Sequence, residues 1–163
     1  MDAKNFHYKK NEDGKYGFVD NEGNWVIEPK FDDAWDFSGG YARVKLDGKY
    51  GFIKSDGTYL AEPKFENANY FHEGFARVKL NGKFGFVKPD GTYLVEPKFD
   101  NAAEFIHGFA RVKLNGKFGF VKPDGTYLVE PKLDYADDFC GGVADIKLDG
   151  KDHIITCDGT IQY

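Results

Sequence analysis

The string GFARVKLNGKFGFVKPDGTYLVEPK occupies Gly74 to Lys98 and returns unchanged at Gly108 to Lys132, with looser copies on both sides. One glycine marks the phase of all the copies: Gly14, Gly48, Gly82, Gly116 and Gly150 are each 34 residues apart. A fixed period of this size belongs to solenoids, propellers and arrays. In such chains one unit cannot bury its apolar surface alone, so neighbouring units must stack.

The interior of the repeat decides between helix and strand. Phe75 to Leu80 alternates in character, and Asn81-Gly82 follows. Asn-Gly between alternating runs is a strong hairpin signal, because a type I′ turn needs positive φ at both central residues. K-F-G-F-V-K comes next, then Pro89-Asp90-Gly91, which suits a type I turn closed by a left-handed glycine. T-Y-L-V-E runs on to Pro97. Each unit therefore reads as a three-stranded antiparallel meander with K-F-G-F-V-K in the centre. The 20 glycines and 17% aromatic content agree with β-structure rich in tight turns. The predicted fold is all-β, a single domain over residues 1–163. It holds five meanders, at about 6–28, 41–62, 75–96, 109–130 and 143–163, with the first and last as degenerate caps.

The connectors repeat as well. Phe31, Ala34 and Phe37 return as Phe65, Ala68 and Phe71, as Phe99, Ala102 and Phe105, and as Leu133, Ala136 and Phe139. Spacing of i, i+3, i+6 predicts a turn or two of helix or 3₁₀. Asp32, Glu66, Asp100 and Asp134 are placed to cap it.

Strand alternation sorts the side chains into two faces. In the third unit Ala76, Val78, Leu80, Gly85, Val87, Tyr93 and Val95 share a small, aliphatic face. Phe75, Phe84, Phe86 and Leu94 lie on the other, with Arg77 and Lys79. Stacking the aromatic face of one unit on the small face of another buries both. Gly85 and its equivalents Gly17, Gly51 and Gly119 are expected to admit a neighbouring unit's ring. The ends are polarised in opposite senses. In the last unit the aromatic positions become Val143, Asp152, Ile154 and Gln162, and the glycine becomes His153. In the first, ungapped alignment puts Tyr8, Lys10 and Glu12 at the small positions. Capping repeats of this kind favour an open, superhelical or solenoid-like stack over the alternative, a closed five-bladed β-propeller.

The recurring K-Y/F-G-F-V/I, D-G-x-Y/W, E-P-K-F-D-x-A-x-x-F and G-x-A-R-V-K-L segments resemble the bacterial WG-repeat family, also called KWG-type repeats. The resemblance runs from about Asp13 to Asp149. The family's Trp before Gly is here Tyr16, Tyr50, Phe84 and Phe118, while Trp25 keeps a later family position. The resemblance implies a β-rich bacterial repeat generally supposed to mediate binding. It supplies no catalytic residue to carry over.

Signals for chemistry are sparse. His7, His72, His107 and His153 show no metal-ligand spacing with Cys or carboxylates. Asp20-Asn21-Glu22-Gly23-Asn24 lacks the terminal Glu of a calcium loop and reads as a hairpin turn. No glycine-rich stretch opens a helix to cradle phosphate. Cys140 has no partner nearby in sequence and is expected as a buried structural thiol. Glu28, Glu62, Glu96 and Glu130 with Lys30, Lys64, Lys98 and Lys132 read as a paired ladder. Arg43, Arg77 and Arg111 form a row broken at Asp145, beside Lys45, Lys79 and Lys113. These six cations, near rows of aromatics, are the candidate binding residues.

The net charge of −5 argues against a nucleic-acid partner. No apolar run approaches the roughly 20 residues a membrane helix needs, and MDAKNFHYKK carries no signal-peptide core, so a cytoplasmic setting is expected. The expected function is a non-catalytic module for protein binding or scaffolding, without cofactor or metal. The alternative is a carbohydrate-binding module that stacks sugars on its periodic aromatics.

Overall fold

A computed structural model of the chain describes residues 5–163. Among them there is no α-helix, and the strands form five separate antiparallel sheets. The first sheet holds β1 (His7–Lys10), β2 (Tyr16–Val19) and β3 (Trp25–Phe31). The second holds β4 (Asp33–Ala34), β5 (Ala42–Leu46), β6 (Lys49–Ile53) and β7 (Tyr59–Phe65). The third repeats this with β8 (Asn67–Ala68), β9 (Ala76–Leu80), β10 (Lys83–Val87) and β11 (Tyr93–Phe99). The fourth contains β12 (Asn101–Ile106), β13 (Phe109–Leu114), β14 (Lys117–Val121) and β15 (Tyr127–Leu133). The fifth contains β16 (Tyr135–Ala136), β17 (Val143–Leu148), β18 (Lys151–Thr156) and β19 (Ile161–Gln162).

The turns form as their sequences require. Asn81 and Gly82 take φ of 50° and 76°, the type I′ signature. They set the register Leu80↔Lys83, Val78↔Gly85 and Ala76↔Val87. Gly91 sits at φ 85°, with its amide on the Lys88 carbonyl, and Asp90 accepts bonds from the Thr92 amide and hydroxyl.

The connectors depart from the predicted helix. The third strand of each meander runs through E-P-K to Phe31, Phe65, Phe99 or Leu133, and the next residues open the following sheet as its fourth strand. The i, i+3, i+6 pattern has a different origin. Phe31 closes one sheet, Ala34 pairs with Val44 in the next, and Phe37 returns to pack edge-on against Phe18 at 5.1 Å. The acidic residues cap no helix. The Asp32 carboxylate accepts the Asp47 amide (2.7 Å) and the Lys15 ammonium (2.5 Å), joining hairpin tips of adjacent sheets.

Gly85 has a different neighbour from the one expected. The strand opposite it is bulged: Phe84 pairs with Phe99 while Phe86 pairs with Val95. The extra residues arch over Gly85, and a Cβ there would meet the Val95 oxygen and Pro97 nitrogen at 2.6 Å. The glycine therefore admits its own sheet's backbone and not the ring of another unit. The bulge also moves Val95 onto the Phe86 face, away from Val87, which pairs with Tyr93. In the first sheet a longer turn shifts the register by one, so Lys9, not Lys10, pairs with Gly17. The residues sharing that face are His7 and Lys9, which are still polar and exposed.

The core is divided among consecutive sheets. Phe18, Ile27 and Phe31 of the first sheet pack with Ala34, Ala42, Val44 and Ile53 of the second. Phe52, Ala61 and Phe65 then meet Ala68, Ala76, Val78 and Val87 of the third. The same pairing of aromatic with small face recurs twice more. Beyond the last cluster, Val143 (40%) and Ile154 (38%) are exposed.

Candidate binding surface

The six cations singled out from the sequence lie on the aromatic faces, where the strand pairing sets Arg43 beside Phe52 and Lys45 beside Tyr50. Each arginine reaches into the next sheet. Arg43 Nη1 donates to the Ala68 carbonyl (2.7 Å), Arg77 to Ala102 (2.6 Å) and Arg111 to Ala136 (2.6 Å). These half-buried guanidinium groups thus clip each sheet to the first strand of its successor. The fifth sheet has Asp145 at this position, on a face where the neighbouring Ile154 is exposed.

Each arginine shares an aromatic ring with a lysine. Arg43 and Lys45 lie 5.6 and 5.1 Å from the Tyr50 ring, and Arg77 and Lys79 lie 5.4 and 5.3 Å from Phe84. Arg111 and Lys113 lie 5.9 and 4.9 Å from Phe118. Cation–π attraction holds such groups over a ring face. Each recurring ring thus has two cations close to it. Burial lowers the Arg43 pKa, partly opposed by Tyr50 and Asp33.

The strip is not uniform. Trp35 stacks on Arg43, with the guanidinium carbon 3.9 Å from the indole centre, and its ring lies 5.8 Å from that of Tyr50. At the corresponding place two repeats on stands Ala103, and a groove of about 350 Å³ opens there between Arg77, Asn101, Arg111, Lys113 and Phe118. Arg111 Nε also pairs with Asp138 at 3.1 Å. The groove was not visible in the row of repeated cations; the break in the repeat at Trp35, Asn69, Ala103 and Asp137 was its available signal.

Other expected features resolve differently. Glu28, Glu62, Glu96 and Glu130 are exposed and do not take part in ion pairs among the described residues. Lys30, Lys64 and Lys98 instead cover the next sheet's Tyr59, Tyr93 and Tyr127 at 5.3, 5.4 and 5.3 Å, so the expected Glu/Lys ladder is absent. Cys140 is exposed, not buried, because Phe139 occupies the core beside it. His72 Nδ1 lies 2.8 Å from the Phe105 carbonyl of the next sheet. Among the described residues no group of three His, Cys, Asp or Glu is placed to hold a metal, and no helix is long and apolar enough to cross a membrane.

Two solved structures align with the chain at low sequence identity. Kluyveromyces lactis Hsv2 aligns with a TM-score of 0.47 at 12% identity, over 95% of this chain and 61% of its own. A structure described as the eukaryotic initiation factor aligns with a TM-score of 0.52 at 10% identity, over 97% of this chain and 50% of its own. The chain thus spans half to three-fifths of the length of these proteins. No curated protein matches it. The WG containing repeat, however, matches residues 16–50, 50–84, 84–118 and 118–151 in unbroken succession. With these matches over most of its length, the chain belongs to the WG-repeat family.

Proposed function

We propose that this chain is a non-catalytic binding module, an open array of stacked sheets that grips a protein partner through its basic, aromatic strip. The observation that carries this reading is the threefold recurrence of an Arg–ring–Lys group at Arg43/Tyr50/Lys45, Arg77/Phe84/Lys79 and Arg111/Phe118/Lys113. A row of cations at regular intervals on an otherwise acidic chain fits an extended segment rich in Asp and Glu. Such a segment would gain affinity by engaging several weak sites in series. The open arrangement is supported by the polar, exposed strand β1 and by the exposed Val143 and Ile154 at the far face. Closure into a ring would bury these residues against each other.

Selection from a displayed random-peptide library tests the proposal. Acidic peptides should be enriched, and Lys79→Glu with Lys113→Glu should abolish their binding while leaving the arginine clips intact. Enrichment without acidic bias, or binding indifferent to the lysine reversals, would refute it.

A further inference from the structure

We infer that the groove at Ala103 is a socket for one aromatic side chain, tryptophan above all, presented by a partner peptide with flanking carboxylates. The inference rests on the protein-binding reading above and names the partner's chemistry.

The molecule itself displays the occupant. Residues 35 and 103 follow the equivalent alanines Ala34 of β4 and Ala102 of β12, which pair with Val44 and Val112. At residue 35 the side chain is an indole, with the Arg43 guanidinium carbon 3.9 Å from its ring centre and the Tyr50 ring 5.8 Å away, tilted by 31° to it. At residue 103 the side chain is a methyl group, while the counterparts of Arg43, Lys45 and Tyr50 are present as Arg111, Lys113 and Phe118. The groove is therefore the Trp35 pocket with its ring removed.

The other two copies carry polar side chains with partners of their own at this place. The Asn69 amide bonds Glu104, and Asp137 accepts the Tyr135 hydroxyl at 2.5 Å. The groove's volume of about 350 Å³ lies at the lower end of ligand pockets and is ample for one bicyclic ring. Its chemistry points the same way. Phe118 and Ala103 supply apolar surface, and Arg111 supplies a flat cation, held at Nε by Asp138 and at Nη1 by the Ala136 carbonyl. Indole is the strongest ring partner for such a cation. Arg77 and Lys113 at the rim favour carboxylates on either side of the ring.

Isothermal titration with the blocked peptides Asp-Trp-Asp and Asp-Ala-Asp tests this. The wild-type protein should bind Asp-Trp-Asp at one site, about tenfold more tightly than Asp-Ala-Asp, a ratio equal to ~1.4 kcal/mol. Ala103→Trp should fill the socket in cis and abolish that preference, with the fold verified by circular dichroism. Trp35→Ala should open a second site and raise the stoichiometry from one towards two. Equal binding of both peptides would remove the socket but leave the basic strip in place. A tryptophan preference that survives in folded Ala103→Trp would overturn the inference, and no binding of either peptide at millimolar concentration would overturn the inference and the strip together.

Discussion

Gly85→Ala measures how tightly the bulged third strand crosses the central one. The added Cβ would lie 2.6 Å from the Val95 oxygen, 2.6 Å from the Pro97 nitrogen and 2.8 Å from the Glu96 carbonyl carbon, all backbone atoms. No rotamer relieves that contact, so the bulge must lift away from β10. Overpacking of this kind costs about 1–3 kcal/mol, and each sheet hydrogen bond lost adds ~1 kcal/mol. A total of roughly 3 kcal/mol corresponds to a melting-temperature fall of about 6–12 °C for a chain of this size. Gly82→Ala is the control. Nothing lies within 4 Å of its Cβ, and the only penalty is φ of 76°, which costs about 1–2 kcal/mol. Thermal and urea denaturation followed by circular dichroism compare the two. If Gly85→Ala is no less stable than Gly82→Ala, the close crossing does not govern the packing of the unit.

Three further outcomes follow from the geometry. Gly91→Ala should be more damaging than Gly82→Ala in the same melts, because φ of 85° combines with a Cβ only 2.4 Å from the Leu60 carbonyl oxygen of the preceding sheet. Arg77→Ala should lower stability by about 1–3 kcal/mol, since it strips a charged donor from the Ala102 carbonyl. Asp145→Ala, at the same place in the fifth sheet, should stay within ~0.5 kcal/mol in urea titrations. Acid should loosen the molecule in a defined window. Lys15 and Lys117 hold Asp32 and Asp134 below the usual carboxylate value of 3.8, and bonds from Thr156 and Thr160 hold Asp158 down at about 2. Depressed carboxylates stabilise the fold above their unfolded pKa and lose that effect on protonation. Melting temperature should therefore fall as pH drops from 3.8 towards 2, and less so for Asp158→Asn.

Much of the fold was legible because local signals and the period agreed. Asn81-Gly82 fixed the hairpin, and the hairpin then placed Gly85 opposite Val78. The connector is not legible in the sequence because a spacing of three arises without a helix. Phe31, Ala34 and Phe37 occupy a strand end, a new strand and a returning loop, yet all serve the same cluster. The backbone that crosses Gly85 is hidden from the sequence because a bulge has no periodicity of its own. The proline in each E-P-K run was the available clue, since proline inside a strand marks an edge or a bulge. The arginine row was visible in sequence, but its carbonyl partners were not, because each lies 25 residues ahead in another sheet.

The distance between the first and fifth sheets tests the open array most directly. Spin labels at Glu12 and Asp149 would report that span, and labels at Asp47 and Asn81, in turns of adjacent sheets, would provide an internal ruler. Cys140 and Cys157 are both exposed and free, so both must first become serine. An open array predicts an end-to-end distance well beyond the adjacent-sheet distance. Equal distances for the two pairs would mean that the first and last sheets pack together in a closed ring, and would contradict the open array.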